Sequence, residues 1–273
     1  MLANLDNEVH FKQVFTDVEV FCAFVKDVLG ISIEIDKVET EKVLPELVSA
    51  IKFRMDLFAQ SKDKRVVVEI QKVDYDYSYD RFAHYFLGNM IAMQRNSNDY
   101  SFEKEVYIIV VVTSAYRISE QNGKAIKDDV LITDINPRNL KGEIRQMNSH
   151  KMVILNTTNI NTETPVNISD WMNLILQSIK NPENPNINLN NPAIAKAAKL
   201  ANKDFLSPEQ LADAKVEEMR KITTALIEDE SRKDENNKRI LQALKQGKLS
   251  KTEISELFEV TIGYIEKLQS ENK

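Results

Sequence analysis

Seven consecutive residues, Val106-Tyr-Ile-Ile-Val-Val-Val112, carry no polar interruption apart from the tyrosine hydroxyl. The run is far short of the ~20 residues a membrane span requires. Its β-branched content marks a strand with both faces buried. Such a strand must sit inside a sheet covered on each side, which restricts the chain to layered α/β architectures.

The neighbouring patterns supply the rest of the layers. Phe11, Val14, Phe15, Val18, Phe21, Cys22, Val25, Val28 and Leu29 recur at three- and four-residue intervals up to Gly30, and predict one helix. Residues 31–43 read as a strand and a loop. From Ile51 the pattern alternates, with Phe53, Met55 and Leu57 on one side and Lys52, Arg54 and Asp56 on the other. After a polar turn at 60–64, Val66, Val68 and Ile70 oppose Val67, Glu69 and Gln71 on the next strand. The two strands read as a hairpin. A second helix is expected over 77–95, with Phe82, Phe86, Met90 and Met93 as its apolar stripe. Further strands are expected at 130–135 and 152–155, set off by the turn signals Gln121-Asn-Gly123 and Asn136-Pro137. Ser169 and Asp170 are expected to cap a short helix carrying Trp171, Leu174 and Ile175.

The Asn/Pro-rich stretch 181–192 cannot be regular structure and predicts a linker. This divides the chain into a domain over 1–180, the linker, and a helical appendage over 193–273. In the appendage, Ser207-Pro208-Glu209 starts a long charged helix, and 229–239 is nearly free of apolar residues. Ser250 and Glu253 form a capping box ahead of two short amphipathic helices, resembling a small helix-turn-helix. Glu259 stands at the turn, and the second helix, with Glu266 and Glu271, is poor in cations that read a groove. The tail fits helical packing that joins copies into a homo-oligomer better than it fits DNA reading.

Composition narrows the function classes. With 36 basic and 42 acidic side chains the net charge is −6, and residues 193–273 hold 15 of each sign. Neither part is a basic module that coats nucleic acid. Cys22 is the only cysteine, which excludes an internal disulfide or a cysteine-rich metal site, and its place on an apolar stripe suits a small buried hydrophobe. The first eight residues lack a basic start and an apolar stretch, so the expected location is the cytoplasm.

Chemistry concentrates on the hairpin. Asp56 lies on the polar face of one strand, and Glu69 and Gln71 share a face of the next, so two carboxylates can converge. Hard cations such as Mg²⁺, or Mn²⁺ in its place, favour a few carboxylate oxygens with water and phosphate oxygens completing the shell. The same pattern also describes the wet side of a sheet. Two features favour chemistry: Glu69 and Gln71 interrupt a valine/isoleucine strand, where polar groups need partners, and Lys12, Arg54, Lys72 and Arg81 surround the segment with cations suited to phosphate. Arg81 and Tyr85 fall on one helix face, able to meet a phosphate or to brace Glu69.

These residues also carry a resemblance. Glu8-Val-His-Phe11-Lys12-Gln-Val-Phe15 is similar to the opening of the PD-(D/E)xK nuclease-family transposases, which include the recombination-promoting (Rpn) nucleases. Met55-Asp56 followed by Val67-Val-Glu69-Ile-Gln71 resembles their acidic core, and Arg81-Phe-Ala-His-Tyr85 their following helix. The resemblance spans residues 4–160. It implies a restriction-endonuclease-like fold cleaving DNA with Mg²⁺, with Asp56 and Glu69 as metal ligands and Glu8 as the acid of the first helix. Gln71 then stands where lysine is usual, and Met55 where proline is usual. An amide cannot take a proton from water as an amine can. The expected function is therefore a metal-dependent DNA endonuclease of transposase type; the alternative is a degenerate nuclease fold kept as a DNA- or protein-binding module.

Overall fold

The computed structural model describes residues 1–43, 54–71, 79–93, 100–114, 124, 126–247, 249–258 and 260–271. Two compact units are present, residues 1–217 and 218–273.

The first unit is a mixed α/β layer structure around a six-stranded sheet of order β1-β2-β3-β4-β6-β5. The strands are β1 (Glu39–Val43), β2 (Arg54–Gln60), β3 (Lys64–Gln71), β4 (Glu105–Val112), β5 (Val130–Asp134) and β6 (Lys151–Asn156). β1/β2, β2/β3 and β5/β6 pair antiparallel, whereas β3/β4 and β4/β6 pair parallel. A parallel neighbour requires a crossover. Helix α3 (Tyr79–Ile91) lies between β3 and β4 in the chain and packs on β4.

β4 is central and buried from Val106 to Val112, as its composition predicts. Tyr107, Ile109 and Val111 enter one apolar cluster; Val106, Ile108, Val110 and Val112 enter the other. The first cluster joins the sheet to α1 (Glu8–Phe15), α2 (Val18–Leu29), α4 (Val166–Lys180) and α5 (Pro192–Leu200). Its centre is aromatic: the Phe15 ring lies 4.3 Å from Phe11 and 5.1 Å from Phe24, and Phe24 lies 5.3 Å from Trp171. The Trp171 indole N–H donates to Asp27 at 2.8 Å, so its polar edge is satisfied. The second cluster is methionine-rich, with Met55, Met90, Met93 and Met152 beside Phe82 and Phe86 of α3.

Several expectations are corrected. The single helix over 11–29 is two helices: the Asp17 carboxylate accepts from the Glu19 and Val20 amides and starts α2 afresh. A side-chain cap at the right place breaks a helix despite continuous apolar periodicity. Gly30 ends α2 in the left-handed conformation, φ 71°. Ser169 and Asp170 do not cap α4, which begins at Val166; both lie inside it.

Residues 181–192 do not form a linker between domains. The Asn188 and Asn191 side-chain amides both donate to Asp170, at 2.9 and 3.2 Å, and fasten the stretch to α4. Asn191 then caps α5, and Ile194 and Ala197 are fully buried in the first cluster. The N-terminus closes the same seam: the Leu2 amide donates to Pro182, Ala3 to Ala201 and Leu5 to the Ser178 hydroxyl. The domain therefore runs past residue 200, and the division falls within α6 (Pro208–Gln246), not at 193.

In the second unit the end of α6, α7 (Lys251–Leu257) and α8 (Ile262–Glu271) enclose Ile240, Ile254, Ile265 and Leu268. The capping box between Ser250 and Glu253 is formed. Glu259 and the turn at 121–123 lie outside the described residues. Among the described residues no helix is long and apolar enough to cross a membrane.

Candidate functional site

Strand register brings the acids together. The β1/β2 pairs Thr40↔Leu57 and Lys42↔Met55 leave Glu41 opposite Asp56. The β2/β3 ladder stops at Leu57↔Val68, one position before Asp56 would meet Glu69. Glu41, Asp56 and Glu69 thus occupy one row across three strands, and the row is skipped by both ladders.

Side chains take over the missing hydrogen bonds. The Asp56 amide donates to Glu69 Oε1 at 3.2 Å, and the Ile70 amide donates to Asp56 Oδ2 at 2.9 Å. Each carboxylate therefore binds the backbone of the other strand. The lapse also overturns the strict alternation expected of this strand. Met55 packs with Phe58 in the α3-side cluster, whereas Leu57 and Ala59 enter the opposite one. Once a ladder lapses, the two-residue period no longer propagates across the gap.

Electrostatics follow from the geometry. Glu69 is 5% exposed. Burial first, then the Asp56 charge beside it, hold its carboxyl well above the usual range. Burial, then the Glu8 charge, push Asp56 up to about 7. Arg81 opposes both shifts. Two close, dehydrated carboxylates repel until a proton or a cation joins them. Among the described residues no trio of His, Cys, Asp and Glu converges on a metal position. The donor set is a pair of hard oxygens, which fits a divalent cation that keeps water and phosphate oxygens for its remaining ligands.

The cations are arranged differently from the expected phosphate track. Lys12 is 14% exposed and forms ion pairs with Glu8, one turn earlier on α1, and with Glu41. Arg54, 64% exposed, pairs with the other oxygen of Glu41. Arg81 reaches the Tyr85 hydroxyl at 3.4 Å and lies over its ring. The Tyr85 hydroxyl is pushed up by burial and then by the Glu69 charge, which puts it near the acids. Gln71 ends β3 opposite Val112, and its side chain lies outside the described residues, as does Lys72.

Glu41 escaped the sequence reading. It is the single non-glycine residue at positive φ (56°) among the described residues. Such a backbone costs about 1–3 kcal/mol and persists where surrounding contacts hold it. Nothing in Glu39-Thr-Glu41-Lys-Val43 marks it, because its position emerges only when β1 pairs with β2. Cys22 is half-buried against the first cluster, short of the full burial expected; its thiol donates to the Ile33 carbonyl at 3.4 Å, and burial raises its pKa. His150 accepts from the Val106 amide at 2.9 Å, a structural role at the start of β6. No protein-family model, curated protein or solved structure matches this chain.

Proposed function

We propose that this protein is a Mg²⁺-dependent DNA endonuclease of the PD-(D/E)xK transposase type, with a restriction-endonuclease-like core, acting on DNA in the cytoplasm. The observation that carries the reading is the close Asp56/Glu69 pair on adjacent strands, Glu69 buried and Asp56 half-buried, each carboxylate fixed by a backbone amide of the other strand. Those amides set the oxygens before any ligand arrives, which lowers the cost of gathering like charges. Asp56 and Glu69 would hold the metal, and Mn²⁺ could replace Mg²⁺. When bound, the ion supplies an activated water and neutralises charge developing on the phosphodiester. Gln71, an amide that can donate and accept, orients the water. Glu8 adds negative charge near the pair. Arg81 and Tyr85 brace the carboxylates from α3, and Lys12, Arg54 and Lys72 would supply positive charge for the DNA phosphates. The second unit contributes DNA contacts or self-association.

A second reading keeps the fold and removes catalysis, leaving a DNA- or protein-binding module. Gln71 favours it, since an amide cannot serve as a base. Plasmid nicking with Mg²⁺, alongside calorimetric Mg²⁺ titration, separates the two. In the nuclease, Asp56→Asn and Glu69→Gln each lower cleavage by about 10³-fold or more and weaken the Mg²⁺ isotherm. Cleavage unchanged by both substitutions removes the pair from the chemistry, and metal binding without cleavage in the wild type selects the second reading.

A further inference from the structure

Resting on the nuclease reading, we propose that Lys12 and Arg54 form a phosphate clamp beside the carboxylate pair, and that the Glu41 carboxylate fills it in the free protein in place of a DNA phosphate. Glu41 divides its two oxygens between the cations, Oε1 to Lys12 and Oε2 to Arg54. Two non-bridging oxygens of a phosphodiester present the same pair of acceptors, and charge-assisted contacts to them are strong. Lys12 is held from its other side by Glu8 and so keeps its place when Glu41 departs. Arg54 is 64% exposed, so the clamp opens to solvent at that end.

The placeholder is held under backbone tension. Glu41 sits at φ 56°, a conformation disfavoured for a residue with a Cβ and held by the contacts around it. Charge makes the two occupants exclusive. Glu41 and a phosphate are both anions claiming the same two cations, so a phosphate enters only as Glu41 leaves. Glu39, two residues earlier on the same strand, pairs with Lys42, at 3.1 Å. It serves as a control of equal charge.

The test uses the full chain in EDTA, with a labelled DNA duplex and anisotropy read over a salt series. Glu41→Gln is expected to tighten binding about tenfold and to steepen the slope of log affinity against log salt by about 1–2, as two cations become available to phosphates. Glu41→Asn, whose short amide tolerates the left-handed backbone, is expected to behave likewise and guards against a folding artefact. Glu39→Gln should stay within about twofold of wild type, since exposed single charges contribute little. Adding Arg54→Gln to Glu41→Gln should abolish the gain. Millimolar inorganic phosphate, followed by thermal shift, should rank the variants in the same order. If Glu41→Gln and Glu41→Asn bind DNA and phosphate no better than Glu39→Gln, or if the gain survives Arg54→Gln, the clamp is wrong. A gain in affinity without Mg²⁺-dependent cleavage overturns the nuclease reading and leaves the clamp standing; cleavage without the gain does the reverse.

Discussion

The two faces of the sheet are built on opposite principles. One is closed by four helices around stacked aromatics whose only polar edge, the Trp171 indole, is paired with Asp27. The other carries α3, a methionine-rich layer, and the carboxylates Asp56 and Glu69 held against their mutual repulsion. The first face maximises burial; the second gives up stability where charges are kept close. The comparison teaches that stability and candidate chemistry are separated by the thickness of one sheet, so substitutions of core apolar residues and of the carboxylate pair should act with opposite signs.

The largest effect tests what belongs to the closed face. A chain ending at residue 190 lacks α5, removing Ile194, Ala197 and Ala201 from the core, and should not fold; a chain ending at residue 217 should. Circular dichroism and amide dispersion in NMR spectra distinguish them, and a folded 1–190 fragment would return the boundary to the Asn/Pro stretch. Next, Trp171→Ala should cost about 3–5 kcal/mol in urea unfolding, against about 2 kcal/mol for Met90→Ala on the α3 face, where flexible methionines close around the gap. Equal losses would mean that both faces are packed alike.

The sign reverses at the carboxylate pair. Asp56 has a folded pKa of about 7, above its unfolded 3.8. Between those values the folded state binds more protons than the unfolded one, so this contribution is full below about pH 4 and is lost as pH rises through 7. In EDTA, Asp56→Asn should therefore gain about 1–2 kcal/mol at pH 8 relative to wild type, after allowance for screening. The gain should shrink at pH 5 and in the presence of Mg²⁺. A destabilised variant at pH 8 would mean that Asp56 is held by its hydrogen bonds without net repulsion. The smallest effect is the opposite slope at His150, whose pKa burial depresses below 6.5. Its neutral ring contributes fully above 6.5, and that contribution is lost as pH falls through the folded value. His150→Asn, keeping an acceptor for the Val106 amide, should flatten the acid limb by less than about 1 kcal/mol.

Legibility in sequence divides along physical lines. β4, α3 and the turns of β2/β3 were readable because burial on a local period leaves a local pattern. The break at Asp17 was signalled by a good capping residue but masked by apolar periodicity running through it. The Asn/Pro stretch misled because its asparagines serve a distant partner: composition reports the absence of regular structure, whereas Asp170, which accepts their side-chain hydrogen bonds, lies 18 and 21 residues away in sequence. At the site, Asp56 and Glu69 were recognisable by residue type. Their shared skipped row, and Glu41 within it, arise from pairings among three strands that no single segment encodes.

The seam between the N-terminus and residues 178–203 governs the order of events during synthesis. Leu2 and Ala3 bond to Pro182 and Ala201, a separation spanning nearly the whole first unit. Closing so long a loop is slow and gains nothing until its far end exists. On the ribosome, α1 and α2 must therefore wait, their phenylalanines exposed, until some two hundred residues have emerged. The helices around Ile254, by contrast, are assembled from contacts close in sequence and can form as soon as they leave the exit tunnel. The apolar faces of α1 and α2 are thus what a chaperone would cover, and the interval of risk is set by α5, the element that completes the seam.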